Sequence, residues 1–328
     1  MQLVALKDCY YLSVIALVKT ASWFPSPKLK EWVVRSVACI AYRSSSSKRR
    51  LSQKNLAAAF DGRLSERQLR RVVRRAFYEF WDDTFSLLPS RAGRAALKQA
   101  DLCGVEHLRT ALKNGKGVIL WESRHFGRRT LAKQILHEHG FAIHQVHGWN
   151  HLGGFLGDSS TWVRRHVVER FFEKWEKQFV AEIICLPKSD SLAFTRALLE
   201  RLQHNAIICI PADGGSGQKI IPIQFLGRTG AFSTGMVSLA KISGAAILPL
   251  FCFQESTGGT KVVIEAPVRV ESNVDKERSL ENSIFGYISL LEAYVRRYPE
   301  QYRNWHLLGS VEGMNRKQLS PQGRPRSS

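Results

Sequence analysis

The residues best suited to chemistry are Glu122-Ser123-Arg124-His125-Phe126-Gly127, directly after the apolar run 117–121 (GVILW). An imidazole titrates near neutral pH, so His125 can take a proton from a hydroxyl and activate it for attack. Gly127 carries no side chain, so backbone or substrate can approach it closely. The carboxylates of Glu122, Asp158 and Asp213 are candidates to orient the imidazole. Asp213 lies in the glycine-rich turn 210–215 (IPADGG), where an Asp can equally serve the turn itself. Arg128, Arg129, Arg164, Arg165 and Arg228 are candidate anion ligands, since a guanidinium fork matches phosphate geometry; for isolated arginines a solvated surface role stands beside this. The histidines at 137, 139, 144, 147, 151 and 166 form no HExxH pattern, and the six cysteines form no CxxC pair. They give no metal site, and no cofactor is expected.

These residues need a scaffold. Short apolar runs at 117–121, 141–146, 182–186, 206–211 and 246–253 read as buried strands, with a further strand over 261–264. Helical stretches fall at about 128–139, 162–180, 189–204 and 235–243, and residues 279–298 read as a closing helix. Strand and helix alternate, which predicts an α/β fold with a mostly parallel central sheet flanked by helices. In such a sheet a histidine just after a strand stands at the carboxyl edge, where these folds bind ligands.

Residues 64–89 read as a basic amphipathic helix. Ser65 and Gln68 are spaced as a capping box; Leu69, Val72, Val73, Phe77, Phe80 and Trp81 line one face, and Arg67, Arg70, Arg71, Arg74 and Arg75 load the other. Residues 43–55 (RSSSSKRRLSQKN) read as an exposed basic loop. The chain has 328 residues and a formal net charge of +20, with 48 Lys and Arg against 28 Asp and Glu. That field attracts an anionic membrane surface, an acidic carrier protein or a polyanion. No nucleic-acid-binding signature is present, so nucleic acid is not expected as a partner.

The uncharged run 9–18 (CYYLSVIALV) is too short to span a bilayer as a helix, which takes roughly 20 residues. Residues 2–24 read as a membrane-inserting or interfacial segment, with Trp23 and Phe24 at headgroup level and Lys28, Lys30 and Arg35 beyond; a buried N-terminal helix is the alternative. The organisation expected is an N-terminal membrane-associated helical segment over 1–42, an α/β domain over 43–308, and a polar flexible tail over 309–328. Cysteines inside apolar runs fit a reduced, cytoplasm-facing body.

His125-Phe126-Gly127 with its preceding strand resembles the core of the HxxxxD/E acyltransferases. The likeness continues in order along the chain: Asn55-Leu56 with Ala59-Phe60; Ile210 to Gly215; Ile221 to Arg228; Ser233-Thr234-Gly235, then Leu239-Ala240, Ser243-Gly244-Ala245 and Leu248-Pro249; Tyr298 to Tyr302, then Trp305-His306. In this serial order the chain resembles the lipid A biosynthesis acyltransferases of the late, lauroyl- or myristoyl-transferring type, over residues 45–308. The resemblance implies transfer of a fatty acyl chain from a thioester, on acyl carrier protein or coenzyme A, to a hydroxyl of a lipid A precursor or similar glycolipid. Acylation of another glycolipid, such as a phosphatidylinositol mannoside, is the neighbouring reading, and a non-catalytic lipid- or carrier-binding relative is a third. It also implies work at the cytoplasmic face of the inner membrane, with membrane lipids as partners. Arg164 and Arg165 lie where the family carries basic residues that meet donor or glycolipid.

The sequence departs from the family at one position. Five residues after His125 the family places an acid that orients the imidazole; here stands Thr130, after Arg128 and Arg129. A threonine accepts a hydrogen bond but supplies no charge. Either another carboxylate (Glu122, Asp158 or Asp213) orients His125, or an anionic substrate meets Arg128 and Arg129, or the rate is reduced.

Overall fold

The computed structural model describes residues 27–86, 100–147, 162–185, 191–213, 220–256, 258–270 and 276–308, with Leu97 and several positions between Cys9 and Thr20. In chain order the elements are α1 (Pro27–Ser44), α2 (Ser46–Ala59), α3 (Glu66–Ser86), β1 (Asp101–Cys103), α4 (Val105–Lys113), β2 (Val118–Glu122), α5 (Arg129–Glu138) and β3 (Ile143–His147). A π-helical stretch Arg164–Val168 leads into α6 (Glu169–Glu176), followed by β4 (Glu182–Cys185), α7 (Ser191–Gln203), β5 (Ile207–Pro211), β6 (Ile220–Phe225), β7 (Arg228–Ser233), α8 (Gly235–Ser243), β8 (Ala246–Gln254), β9 (Thr260–Ile264) and α9 (Lys276–Arg297). Two 3-10 turns, Pro299–Gln301 and Trp305–Leu307, complete the described chain.

The run 117–121 becomes the middle of the sheet. The seven strands lie in the order β1-β9-β8-β2-β5-β3-β4, so β2 is the central one. Every pairing is parallel except β8 with β9. All five residues of β2 are buried because helices cover both faces. Strand alternation divides its side chains: Ile119 and Trp121 enter the core beneath α2, α3, α7, α8 and α9, whereas Val118 and Leu120 enter the core beneath α4 and α5. Glu122 has the parity of Val118 and Leu120 and therefore faces α5.

The expected strands and helices are present to within a few residues. The capping box forms as well: Gln68 Oε1 accepts the Ser65 N–H at 2.8 Å and the Gln68 N–H reaches Ser65 Oγ at 3.4 Å. The segment 43–55 corrects the expected loop. It is the end of α1 and most of α2, broken only at Ser45. Lys, Arg, Gln and Leu favour helix, and Ser52, Asn55, Leu56 and Ala59, spaced at helical intervals, are its buried face. That face is small and polar, so hydrophobic periodicity did not reveal it. The β6–β7 hairpin and the short pair β1 and α4 also go beyond the expected elements.

Most of residues 1–26 and all of 309–328 lie outside the described residues. Within the first segment, Ile15 packs against the cluster of Val168, Phe172 and Phe179. Among the described residues, no helix is long and apolar enough to cross a membrane.

Candidate active site

The loop after β2 is built around its own backbone N–H groups. The Asp213 carboxylate, just past β5, accepts the Arg124 N–H on one oxygen and the Ser123 hydroxyl on the other. The His125 N–H lies 3.3 Å from the second of these oxygens. Ser123 Oγ in turn accepts the Phe126 N–H at 2.9 Å. β2 and β5 are neighbouring parallel strands in register Glu122↔Pro211, so their carboxyl ends present loop and carboxylate side by side.

The far side of the loop is held by the C-terminal segment and β8. The His125 carbonyl accepts the Arg303 N–H at 2.7 Å, Gly127 N–H donates to Gln301 O at 3.0 Å, and Arg128 N–H donates to Cys252 O at 2.8 Å. Phe126 and Tyr302 form an antiparallel bridge. Gly127 sits at φ +71°, and a Cβ there would lie 2.1 Å from Cys252 O. Only glycine fits this crossing.

Beneath the loop lies a layer of buried charge. The inner face of α3 carries Glu79, Asp82 and Asp83. Arg128 pairs with Glu79 at 2.8 Å and with Asp82 at 2.7 Å, while Arg303 pairs with Asp83 at 2.7 Å. Burial raises the Asp83 carboxyl, and Arg303 and Arg128 oppose it. On the α5 side, Glu122 is paired with Arg129 and lies 3.6 Å from Lys133. Burial pushes Glu122 up, but Arg129 and Lys133 outweigh it and hold the carboxyl at about 2.

The His125 ring stands above this layer, partly exposed. Its Nδ1 lies 2.8 Å from Asn304 Nδ2, and its edge faces Tyr302 at a centroid distance of 6.0 Å. Burial lowers its pKa to about 4; Asp213 pulls the other way, and Arg124, Arg303 and Arg129 add to the burial effect. The ring is therefore neutral at physiological pH, the state a general base requires.

The structure redistributes the roles read from sequence. His125 and Asp213 come together, but Asp213 holds the loop backbone; no hydrogen bond joins its carboxylate to the His125 ring. Glu122 is corrected as an orienting carboxylate: it points to α5 and is committed to Arg129 and Lys133. Arg128 and Arg129 are corrected as open phosphate ligands, because both are engaged in buried ion pairs. Thr130 lies in the first turn of α5, partly exposed, with no hydrogen bond to His125 among the described residues. Arg228 opens β7, with a buried Nε that has no hydrogen-bond partner among the described residues. Asp158 and the side chains of Arg164 and Arg165 lie outside the described residues. Sequence reasoning gave Ser123 no role of its own and missed Arg303, Asn304 and the acids of α3. The only signal was position: Arg303-Asn304 interrupts the C-terminal motif between Tyr302 and Trp305. A cleft of about 620 Å³ near His144, Glu182 and Arg201 lies at the amino end of the sheet, remote from His125.

Comparison with known proteins adds to this geometry. Residues 3–307 match the family described as bacterial lipid A biosynthesis acyltransferase. The chain belongs to this family. Phosphatidylinositol mannoside acyltransferase from Mycobacterium tuberculosis is 26% identical over 185 residues, 56% of this chain and 54% of that protein. The protein of the same name from Mycolicibacterium smegmatis is 25% identical over 190 residues, 56% of this chain and 55% of its own. The chain thus spans about half the length of the relatives it matches.

Proposed function

We propose that this protein transfers a fatty acyl group from an acyl thioester to a hydroxyl of a glycolipid, with His125 as general base. The observation that carries the reading is a neutral imidazole fixed at the carboxyl end of the central strand, inside a family of acyltransferases. His125 takes the proton of the acceptor hydroxyl as its oxygen attacks the thioester carbonyl. The tetrahedral intermediate collapses with loss of the thiolate. The imidazolium returns its proton to that sulfur, leaving an ester, a free thiol and the enzyme unchanged. Asp213 and Ser123 fix the loop, and the acids of α3 hold it from below through Arg128 and Arg303.

The donor is acyl carrier protein or acyl-coenzyme A. The acceptor is a lipid A precursor by the family's description, or a phosphatidylinositol mannoside by the names of the mycobacterial relatives. Catalysis takes place at a membrane surface, the cytoplasmic face of the inner membrane. Supporting this, α1 exposes Trp32 (65%) and Ile40 (67%) beside Lys28, Arg35 and Arg43. In addition, α3 turns Arg67, Arg70, Arg71 and Arg74 to solvent. The test supplies purified protein with each thioester and each acceptor and follows ester formation by mass spectrometry. Transfer to at least one acceptor is expected. No transfer with any of the four combinations refutes the proposal.

A further inference from the structure

An imidazole acting as base at one nitrogen needs its other nitrogen held, and no carboxylate among the described residues is hydrogen-bonded to the His125 ring. From the geometry around the ring we infer that Asn304 is the positioning residue of His125: its side-chain amide holds Nδ1 and so sets the ring's tautomer and plane. The inference rests on the proposed role of His125 as base.

Three observations carry it. Asn304 Nδ2 lies 2.8 Å from His125 Nδ1, and no other side chain in the described structure is hydrogen-bonded to the ring. Asn304 is 7% exposed, and its Oδ1 is buried without a partner among the described residues. Its backbone is held on both sides: Arg303 N–H donates to His125 O at 2.7 Å, its guanidinium pairs with Asp83, and the carbonyl of Trp305 accepts Asn55 Nδ2 at 2.8 Å. The amide therefore sits at a fixed distance from the ring.

The chemistry gives the amide two settings. With Nδ2 donating to Nδ1, the ring proton resides on Nε2, which then has no lone pair to offer. A half-turn of the amide exchanges the two terminal atoms in nearly the same space. Oδ1 then accepts Nδ1–H, and Nε2 carries the free lone pair of a base. When Nε2 takes the acceptor's proton, Nδ1 keeps its own, and only Oδ1 can accept from the resulting imidazolium. A carboxylate would do the same with a full charge; the amide does it with a dipole. The charged groups around the ring are Asp213 from the loop after β5, Arg124 from the ring's own loop, Arg129 from α5 and Arg303 from the C-terminal segment. Replacing the amide with a carboxylate adds one negative charge to this set.

The test is a pH titration of the full chain labelled with 15N-histidine. Two-bond proton–nitrogen correlations report tautomer and protonation, and the His125 signals are assigned by their loss in His125→Gln. In the wild type one tautomer dominates, with the proton on Nε2 if Nδ2 faces Nδ1 and on Nδ1 if Oδ1 does. Asn304→Ala gives a mixture of tautomers, and Asn304→Asp raises the proton affinity of His125 by roughly tenfold or more. Well-dispersed spectra of both variants establish that they are folded. An unchanged tautomer in Asn304→Ala, or an unchanged titration in Asn304→Asp, overturns the inference. In acyl transfer, Asn304→Ala lowers kcat roughly 100-fold with little change in KM, and in Asn304→Asp the acid limb of the pH profile moves up. If no acyl transfer is found in the wild type, the functional proposal fails while the spectra still decide the role of Asn304.

Discussion

Gly127→Ala isolates the crossing that fixes the histidine loop. At φ +71° an alanine meets the left-handed penalty, about 1 kcal/mol or somewhat more. Its Cβ would also lie 2.1 Å from Cys252 O, far inside any tolerable contact. Relief requires the loop to leave β8. The bonds Arg128 N–H to Cys252 O (2.8 Å) and Gly127 N–H to Gln301 O (3.0 Å) then lengthen or break. Each costs about 1 kcal/mol net. Together these effects amount to about 3–4 kcal/mol. Urea unfolding followed by tryptophan fluorescence should show this as a midpoint lower by about 1 M, for a slope near 3 kcal/mol per M. Acyl transfer should fall as well, because His125 moves with the loop. A midpoint within about 0.2 M of wild type would refute the reasoning, since it would mean that the loop does not cross β8 at this distance.

Other substitutions probe the charge layer and the ring. Arg128→Ala removes the ion-pair partner of the partly exposed Asp82 and one of the two arginines on Glu79, which keeps Arg75, and should destabilise by about 3 kcal/mol, against little effect for the exposed Arg67→Ala; equal urea midpoints would contradict the pairing. Thr130→Glu should not raise kcat, because Nδ1 is already in contact with Asn304; a clear gain would show that position 130 is the vacant orienting site. His125 and His306 are each lowered by burial to about 4, so the unfolded chain binds more protons between pH 6.5 and 4. The stability from this source is complete above about pH 6.5 and is lost as pH falls through about 4, at most roughly 3 kcal/mol per ring. Equal urea midpoints at pH 7 and pH 5 would contradict the two shifts.

The sheet was legible because its strands are short, mainly apolar runs separated by helix-length segments, and His125 was legible because it stands just past one of them, GVILW. Helix α2 was not, since its buried face is made of Ser52, Asn55, Leu56 and Ala59 rather than large hydrophobics. The partners of the loop were hidden for another reason. Glu79 and Asp83 lie on a helix whose arginines dominate its sequence pattern, and Arg303-Asn304 reaches His125 from almost 180 residues downstream. Pairings of that range leave no periodicity. Arg128 and Arg129 read as candidate anion ligands because sequence cannot show that α3 and β2 bring carboxylates against them. The same gap made Glu122 look like a partner for His125, although strand parity turns it toward α5.

The proposed role of His125 as the base of an acyl transfer is open to measurement. The direct measurement compares wild type with His125→Ala in transfer from an acyl thioester to the glycolipid acceptor, after circular dichroism has shown both to be folded. Ester formation by the wild type is expected, with a loss of roughly 100-fold or more in kcat for the variant. Transfer at the wild-type rate by His125→Ala would contradict it.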